Sequence, residues 1–144
     1  MSTQENKDLV RRWWEALNQR TASQMIDETY ASDYILHDPS LAELVQGLAG
    51  VREFVAMVLN AFPDARYTIE SLVAEGDTVA QYVLVRGTHK AAFQGIPATG
   101  KQVAVWIMVI SRIANGRIVE EWQLFDALGM LKQMGVIPEG SPAS

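Results

Sequence analysis

The sequence predicts an α+β domain in which helices cover one face of a curved antiparallel sheet. Apolar residues recur at helical spacing as far as Phe62, and the period changes to strand-like alternation after Pro63. Asn115-Gly116 then marks a hairpin between two long apolar runs. Helices first and strands afterwards is the order of an α+β domain, not of a repeating βαβ unit.

In "NKDLVRRWWEALNQR", Val10, Trp13, Trp14 and Leu17 fall three and four apart, one face of an amphipathic helix. "TASQ" follows, with Thr21 as an N-cap and Gln24 three positions on, so the spacing predicts a capping box opening a short second helix with Met25 and Ile26. "YASDYILHDPS" reads as an irregular connection, because Pro39 biases Asp38 away from helical angles. A third helix is expected at about 48–61, with Val51, Phe54, Val55 and Val58 on one side. Tyr67, Ile69 and Val73 open the first long strand, "EGD" turns into "TVAQYVLVRGTHK", and the loop "AAFQGIPATG" leads to "KQVAVWIMVISRI". "NGR" turns the chain into "RIVEEWQLF", and the neighbouring strands are expected to run antiparallel. A last helix over 127–134 carries Leu128, Leu131 and Met134 inward and stops at Gly135. One domain over 1–144 is expected, with 139–144 as a flexible tail and no internal repeat.

The chain of 144 residues is about half apolar, enough for a proper core. A net charge of -5 with no Lys/Arg cluster argues against nucleic-acid binding. The longest apolar run, Val103 to Ile110, is too short for a membrane helix and no leader is visible, so a soluble cytoplasmic protein is expected. That run is apolar on both alternating sets. One set can line an interior; the other, left exposed, would be a patch that monomers rarely tolerate, which predicts a homodimer through the outer sheet face.

Several chemistries are set aside. "GIPATGK" nearly matches a phosphate loop, but Gln102 stands where the magnesium-holding Ser or Thr belongs, and a strand follows instead of a helix. The only histidines, His37 and His89, share no ligand spacing, so no metal site is expected. The chain has no cysteine and no Gly-x-Ser-x-Gly elbow. What remains are ionisable residues set among apolar ones. Glu120, Trp122, Leu124 and Asp126 share a parity in the last strand, and Asp126 reads either as the cap of the following helix or as a pocket carboxylate. His37, His89 and Arg86 read as pocket-lining groups or as paired structural ones, while the tryptophans, Trp14 among them, suit a core or an interface.

With "YILHDP", "RGTHKAAFQGIPATGKQV", "RIANGRIVEEW" and "FDALGMLKQMG" in place, residues 6–137 resemble the SnoaL-like polyketide cyclase and ester cyclase family, within the nuclear transport factor two-like superfamily. The resemblance implies a cone-shaped curved antiparallel sheet covered on its concave face by N-terminal helices. It also implies a cofactor-independent intramolecular aldol closure on a small hydrophobic or polyketide-like substrate, with Asp126 as general base and acid. His37 takes the approximate position of a pocket asparagine and would donate to an oxyanion; Arg86 and His89 would be polar supports. Trp14, Ile107, Val109, Trp122 and Phe125 would bind the substrate. Val109 stands where the resembled cyclases carry a histidine, and Ile107 where they carry a polar residue, which makes this pocket more apolar. Two alternatives remain: another acid/base enzyme on the same fold (isomerase, dehydratase or epoxide hydrolase), and a non-catalytic binder of small hydrophobic ligands.

Overall fold

A computed structural model describes residues 2–138, so the tail expected at 139–144 lies outside the described residues. Helix α1 (Thr3–Gln19) buries Leu9, Val10, Trp13, Trp14 and Leu17, the stripe that the sequence spacing predicts. The capping box forms at its start, where Ser2 Oγ accepts the Glu5 amide and Glu5 Oε1 accepts the Ser2 amide, both at 3.0 Å. The box expected at Thr21 does not form: Thr21 makes no side-chain cap bond, and the chain passes through a single 3-10 turn (Ala22–Gln24) into the one-turn helix α2 (Ile26–Thr29).

The expected irregular connection is instead strand β1 (Tyr30–His37). Tertiary pairing overrides the local signal, because β1 lies in register beside the last strand and also pairs with the two-residue strand β2 (Val45–Gln46). Helix α3 (Gly47–Ala61) follows, then β3 (Arg66–Glu75), β4 (Thr78–Thr88), β5 (Gln102–Ala114), β6 (Arg117–Phe125) and α4 (Ala127–Met134). The six strands form one sheet in the order β2-β1-β6-β5-β4-β3. Every pairing is antiparallel except β1 with β6, which runs parallel and corrects the all-antiparallel expectation. Asn115 and Gly116 turn the β5–β6 hairpin at φ 53 and 75°, the left-handed pair that a two-residue turn demands. Gly135 ends α4 at φ 79°, and its amide and that of Val136 satisfy the last carbonyls of the helix.

The sheet is curved and unclosed. Helix α1 lies across β3 and β4 and α3 lies against β1, so the helices cover the concave face. The core fills that concavity: Val79, Val83, Val109, Ile113 and Ile118 of the sheet meet Val10, Trp14, Val51 and Val55 of the helices.

One irregularity decides which side chains face inward. Ile113 pairs with Ile118 but Arg112 pairs with Glu120, so Val119 is an extra residue in β6. A bulge of this kind shifts alternation by one position. Ile118 and Glu121 therefore both point inward, and Glu120, Trp122, Leu124 and Asp126 share the outer face.

Candidate active site

Between α1, α3 and the concave face lies a cavity of about 150 Å³. One water needs roughly 10–15 Å³ of such space, so the room suits an organic molecule. Its walls are apolar and aromatic: Trp14 and Leu17 from α1, Phe54, Val55 and Val58 from α3, Ile107 and Val109 from β5, and Phe125 from β6. Apart from tyrosine hydroxyls, its polar groups are the side chains of Asp38, Gln94, Glu121 and Gln123. No Lys, Arg or His occurs among the described lining residues.

Glu121 is buried at 8% exposure by the bulge-shifted alternation of β6. Tyr34 OH donates to its Oε1 at 2.6 Å, and the Ser111 hydroxyl donates to its Oε2 through a short hydrogen bond. Behind Ser111 stands a buried chain: Trp14 Nε1–H donates to Gln81 Oε1 at 3.0 Å, and Gln81 Nε2 donates to Ser111 Oγ at 2.8 Å and to the Val79 carbonyl at 3.1 Å. Burial pushes the Glu121 carboxyl above its ordinary range, against the opposing pull of the Ser111 and Tyr34 hydrogen bonds. Burial also raises the Tyr34 phenol well above its ordinary value, helped by the neighbouring Glu121, so it keeps its hydrogen.

Asp38 follows the last residue of β1, on the inward parity of Tyr34 and Leu36, and is buried. The turn at Ser40 grips one oxygen: Asp38 Oδ1 accepts the Ser40 amide at 2.8 Å and its hydroxyl at 2.7 Å. Oδ2 accepts Gln123 Nε2 at 2.9 Å across the strand pair. The carboxylate is thereby fixed against the cavity wall, and Oδ2 has lone-pair capacity to spare.

The residues singled out from sequence divide between places. Trp14, Ile107, Val109 and Phe125 line the cavity. Asp126 does not: it is exposed, it follows the outward parity of β6, and its Oδ1 caps α4 by accepting the Gly129 amide at 2.9 Å. His37 also points outward, with Nε2 2.7 Å from Glu120 Oε2 and its ring stacked on Trp122 at 5.5 Å. That hydrogen bond, and a second from Arg112, hold the Glu120 carboxyl below its ordinary range. Trp122 is 42% exposed on the same outer face, and Arg86 is exposed between Arg66 of β3 and Ala104 of β5. His89 is fully buried outside the lining, stacked on Phe62 with Nδ1 accepting the Thr99 amide at 3.3 Å.

The polar residues of the cavity, Tyr34, Asp38, Glu121 and Gln123, were not singled out from the sequence. A regular strand puts Trp122 and Leu124 on a face opposite Glu121 and Gln123, and ordinary apolar patterning then sends the tryptophan inward. Only the excess residue between Asn115-Gly116 and Glu120 carries a trace of the bulge. For Asp38 the available signal is Asp38-Pro39-Ser40, an Asx turn that orients a carboxylate.

The family model described as SnoaL-like polyketide cyclase matches residues 7–134. The chain is 30% identical over 143 residues to the aklanonic acid methyl ester cyclase DauD of Streptomyces sp. strain C5, covering 92% of this chain and 85% of DauD. Among solved structures, AclR of Streptomyces galilaeus, a candidate hydroxylase, superposes at TM-score 0.82 with 28% identity over 95% of this chain and 100% of its own. IdmH of Streptomyces antibioticus, a candidate polyketide cyclase, superposes at 0.76 with 32% identity over 90% and 98%. Among the described residues no group of three or more His, Asp or Glu could hold a metal ion, and no helix is long and apolar enough to cross a membrane.

Proposed function

From the premise that the chain belongs to the SnoaL-like polyketide cyclase family, we propose that it closes a ring in an uncharged polyketide-like substrate by cofactor-independent aldol chemistry, with Asp38 as the proton shuttle. The observation that carries this reading is a carboxylate fixed by Ser40 and Gln123 against a largely apolar cavity. A carbon between two carbonyls, or between a carbonyl and an ester, is acidic enough for a positioned carboxylate to deprotonate. The enolate carbon then attacks a second carbonyl of the same molecule, a C–C bond forms, and the carbonyl electron pair moves onto oxygen. The alkoxide takes back the proton that Asp38 removed, so the product has the mass of the substrate.

Charge narrows the substrate class. Two carboxyl groups and no cationic side chain face the cavity, so a free carboxylate there would lose its hydration without gaining a counter-ion. An ester loses far less, and the methyl ester in the name of the relative DauD supports this reading. The test offers aklanonic acid methyl ester and related polyketide esters beside their free acids, with chromatography and mass spectrometry of the products. Ring-closed isomers of unchanged mass from the esters alone are expected. Preference for the acids contradicts the reading, and saturable ester binding with no product supports a hydrophobic ligand binder instead.

The same reading includes a homodimer. Met108, Ile110, Trp122 and Leu124 are exposed on the outer face, and the register sets Met108 beside Leu124 and Ile110 beside Trp122. With Tyr82 stacked on Trp106 next to them, they form a continuous apolar surface across three strands. A second copy covering this surface would remove it from water.

A further inference from the structure

The direction of each hydrogen bond beneath the cavity fixes which oxygen of Glu121 can hold a proton. An indole N–H can only donate, so Trp14 fixes Gln81 with its oxygen toward the indole and its amide NH₂ toward Ser111. Ser111 Oγ already accepts from Gln81, so its own hydrogen goes to Glu121 Oε2. One oxygen of Glu121 is thereby committed as an acceptor. When Glu121 is uncharged, its proton must sit on the other oxygen, Oε1, which faces Tyr34 Oη at 2.6 Å. Oε1–H then donates to Tyr34, and the phenolic hydrogen is released from the carboxylate. Tyr34 lines the cavity, so that hydrogen is available to whatever fills it.

We propose that Tyr34, oriented by its contact with Glu121, is the hydrogen-bond donor to a carbonyl oxygen of the bound ligand. This rests on the ring-closure reading for its role in turnover: as the enolate or alkoxide forms, negative charge grows on that oxygen, and a preplaced donor in a water-poor site is worth more to the charged species than to the ketone. Asp38 moves the proton at carbon, and Tyr34 holds the oxygen. Burial pushes the Glu121 carboxyl above its ordinary range, which favours the uncharged form. The groups facing it are Tyr34 and Tyr30 of β1 and Ser111 of β5, with Asp38 on the same cavity. The two tyrosines titrate well above the ordinary phenol range, and Tyr67 across the cavity is pushed up to about 12, so the carboxyl is the group that changes first as pH rises.

The test needs binding but no turnover. The uncharged bicyclic ketone 1-tetralone is added to the full chain and its carbonyl stretch is read by infrared difference spectroscopy. In the wild type the stretch moves to lower wavenumber while Glu121 is uncharged, and the shift is lost as pH rises and ionised Glu121 recaptures the Tyr34 hydrogen. Tyr34→Phe binds the ketone with no shift at any pH. Glu121→Gln mimics the uncharged acid, its oxygen accepting from Ser111 and its amide donating to Tyr34, and retains the shift at every pH. A shift that survives in Tyr34→Phe, a Glu121→Gln protein that behaves like Tyr34→Phe, or a wild type that fails to bind the ketone overturns the proposal. Failure of the ring-closure reading shows separately, as esters left unconverted by a protein that still shifts the ketone band.

Discussion

The two faces of the β5–β6 hairpin are built from alternate residues of the same strands and carry opposite chemistry. Inward, Glu121 and Gln123 stand among Ile107, Val109 and Phe125; outward, Met108, Ile110, Trp122 and Leu124 lie exposed beside His37 and Glu120. Polarity is therefore inverted relative to a simple sheet, with carboxyl groups inside and large apolar side chains outside. The inner face is covered by α1 and α3, and the proposed second copy would cover the outer one. A carboxyl group among apolar walls is poised for proton chemistry, whereas the outer carboxylates are committed to a cap at Asp126 and an ion pair at Glu120.

The largest expected difference between the two faces is in turnover. Asp38→Asn is expected to lower ring closure by at least about 10²-fold, the usual worth of a positioned acid/base group. The fold should survive, since an asparagine oxygen still accepts from Ser40 and the Gln123 amide can turn to meet its nitrogen. Circular dichroism beside the product assay checks both halves.

Next in size is the buried carboxyl. Glu121→Leu strands the Tyr34 and Ser111 hydroxyls, at about 1–3 kcal/mol for each one left unpaired, and urea unfolding should record it. Its pH dependence has a definite sign. The folded state raises the Glu121 value above the unfolded one near 4.5, so the uncharged carboxyl supports the fold fully below that value. The support is lost as pH rises from there through the folded value. The stability of the wild type relative to Glu121→Gln should therefore fall across that window, and a difference that grows with pH would sink the assignment.

On the outer face, Met108→Lys places a charge at the centre of the apolar surface. A halved mass by light scattering with an unchanged circular dichroism spectrum is expected; an unchanged mass would remove the second copy from the account. The smallest effect belongs to Asp126→Ala, which loses the α4 cap and about 1 kcal/mol of stability. Asp126→Ser restores most of it, and neither variant should change turnover.

How far the sequence could be read follows from where each signal originates. The face of α1, the hairpin at Asn115-Gly116 and the stop at Gly135 depend on neighbours within a few positions and are legible, whereas α4 buries Met130 and Met134 where Leu128, Leu131 and Met134 were expected. Strand β1 is not, because "YASDYILH" shows weak alternation and becomes a strand through parallel pairing with β6, far along the chain. At Ile107 and Val109 the family resemblance named the cavity lining, and the apolar strand set they belong to does face inward. The lining was illegible at Glu121 and Gln123, since one extra residue at Val119 reverses the parity of everything after it. The shared parity of Glu120, Trp122, Leu124 and Asp126 was itself correctly visible; the face they share is the outer one.

The most direct test of the inner-face assignment is the conversion of aklanonic acid methyl ester and its ester analogues by Asp38→Asn and Asp126→Asn, side by side with the wild type. Loss of the ring-closed product in Asp38→Asn alone is the predicted result, and loss in Asp126→Asn with Asp38→Asn unaffected would contradict it.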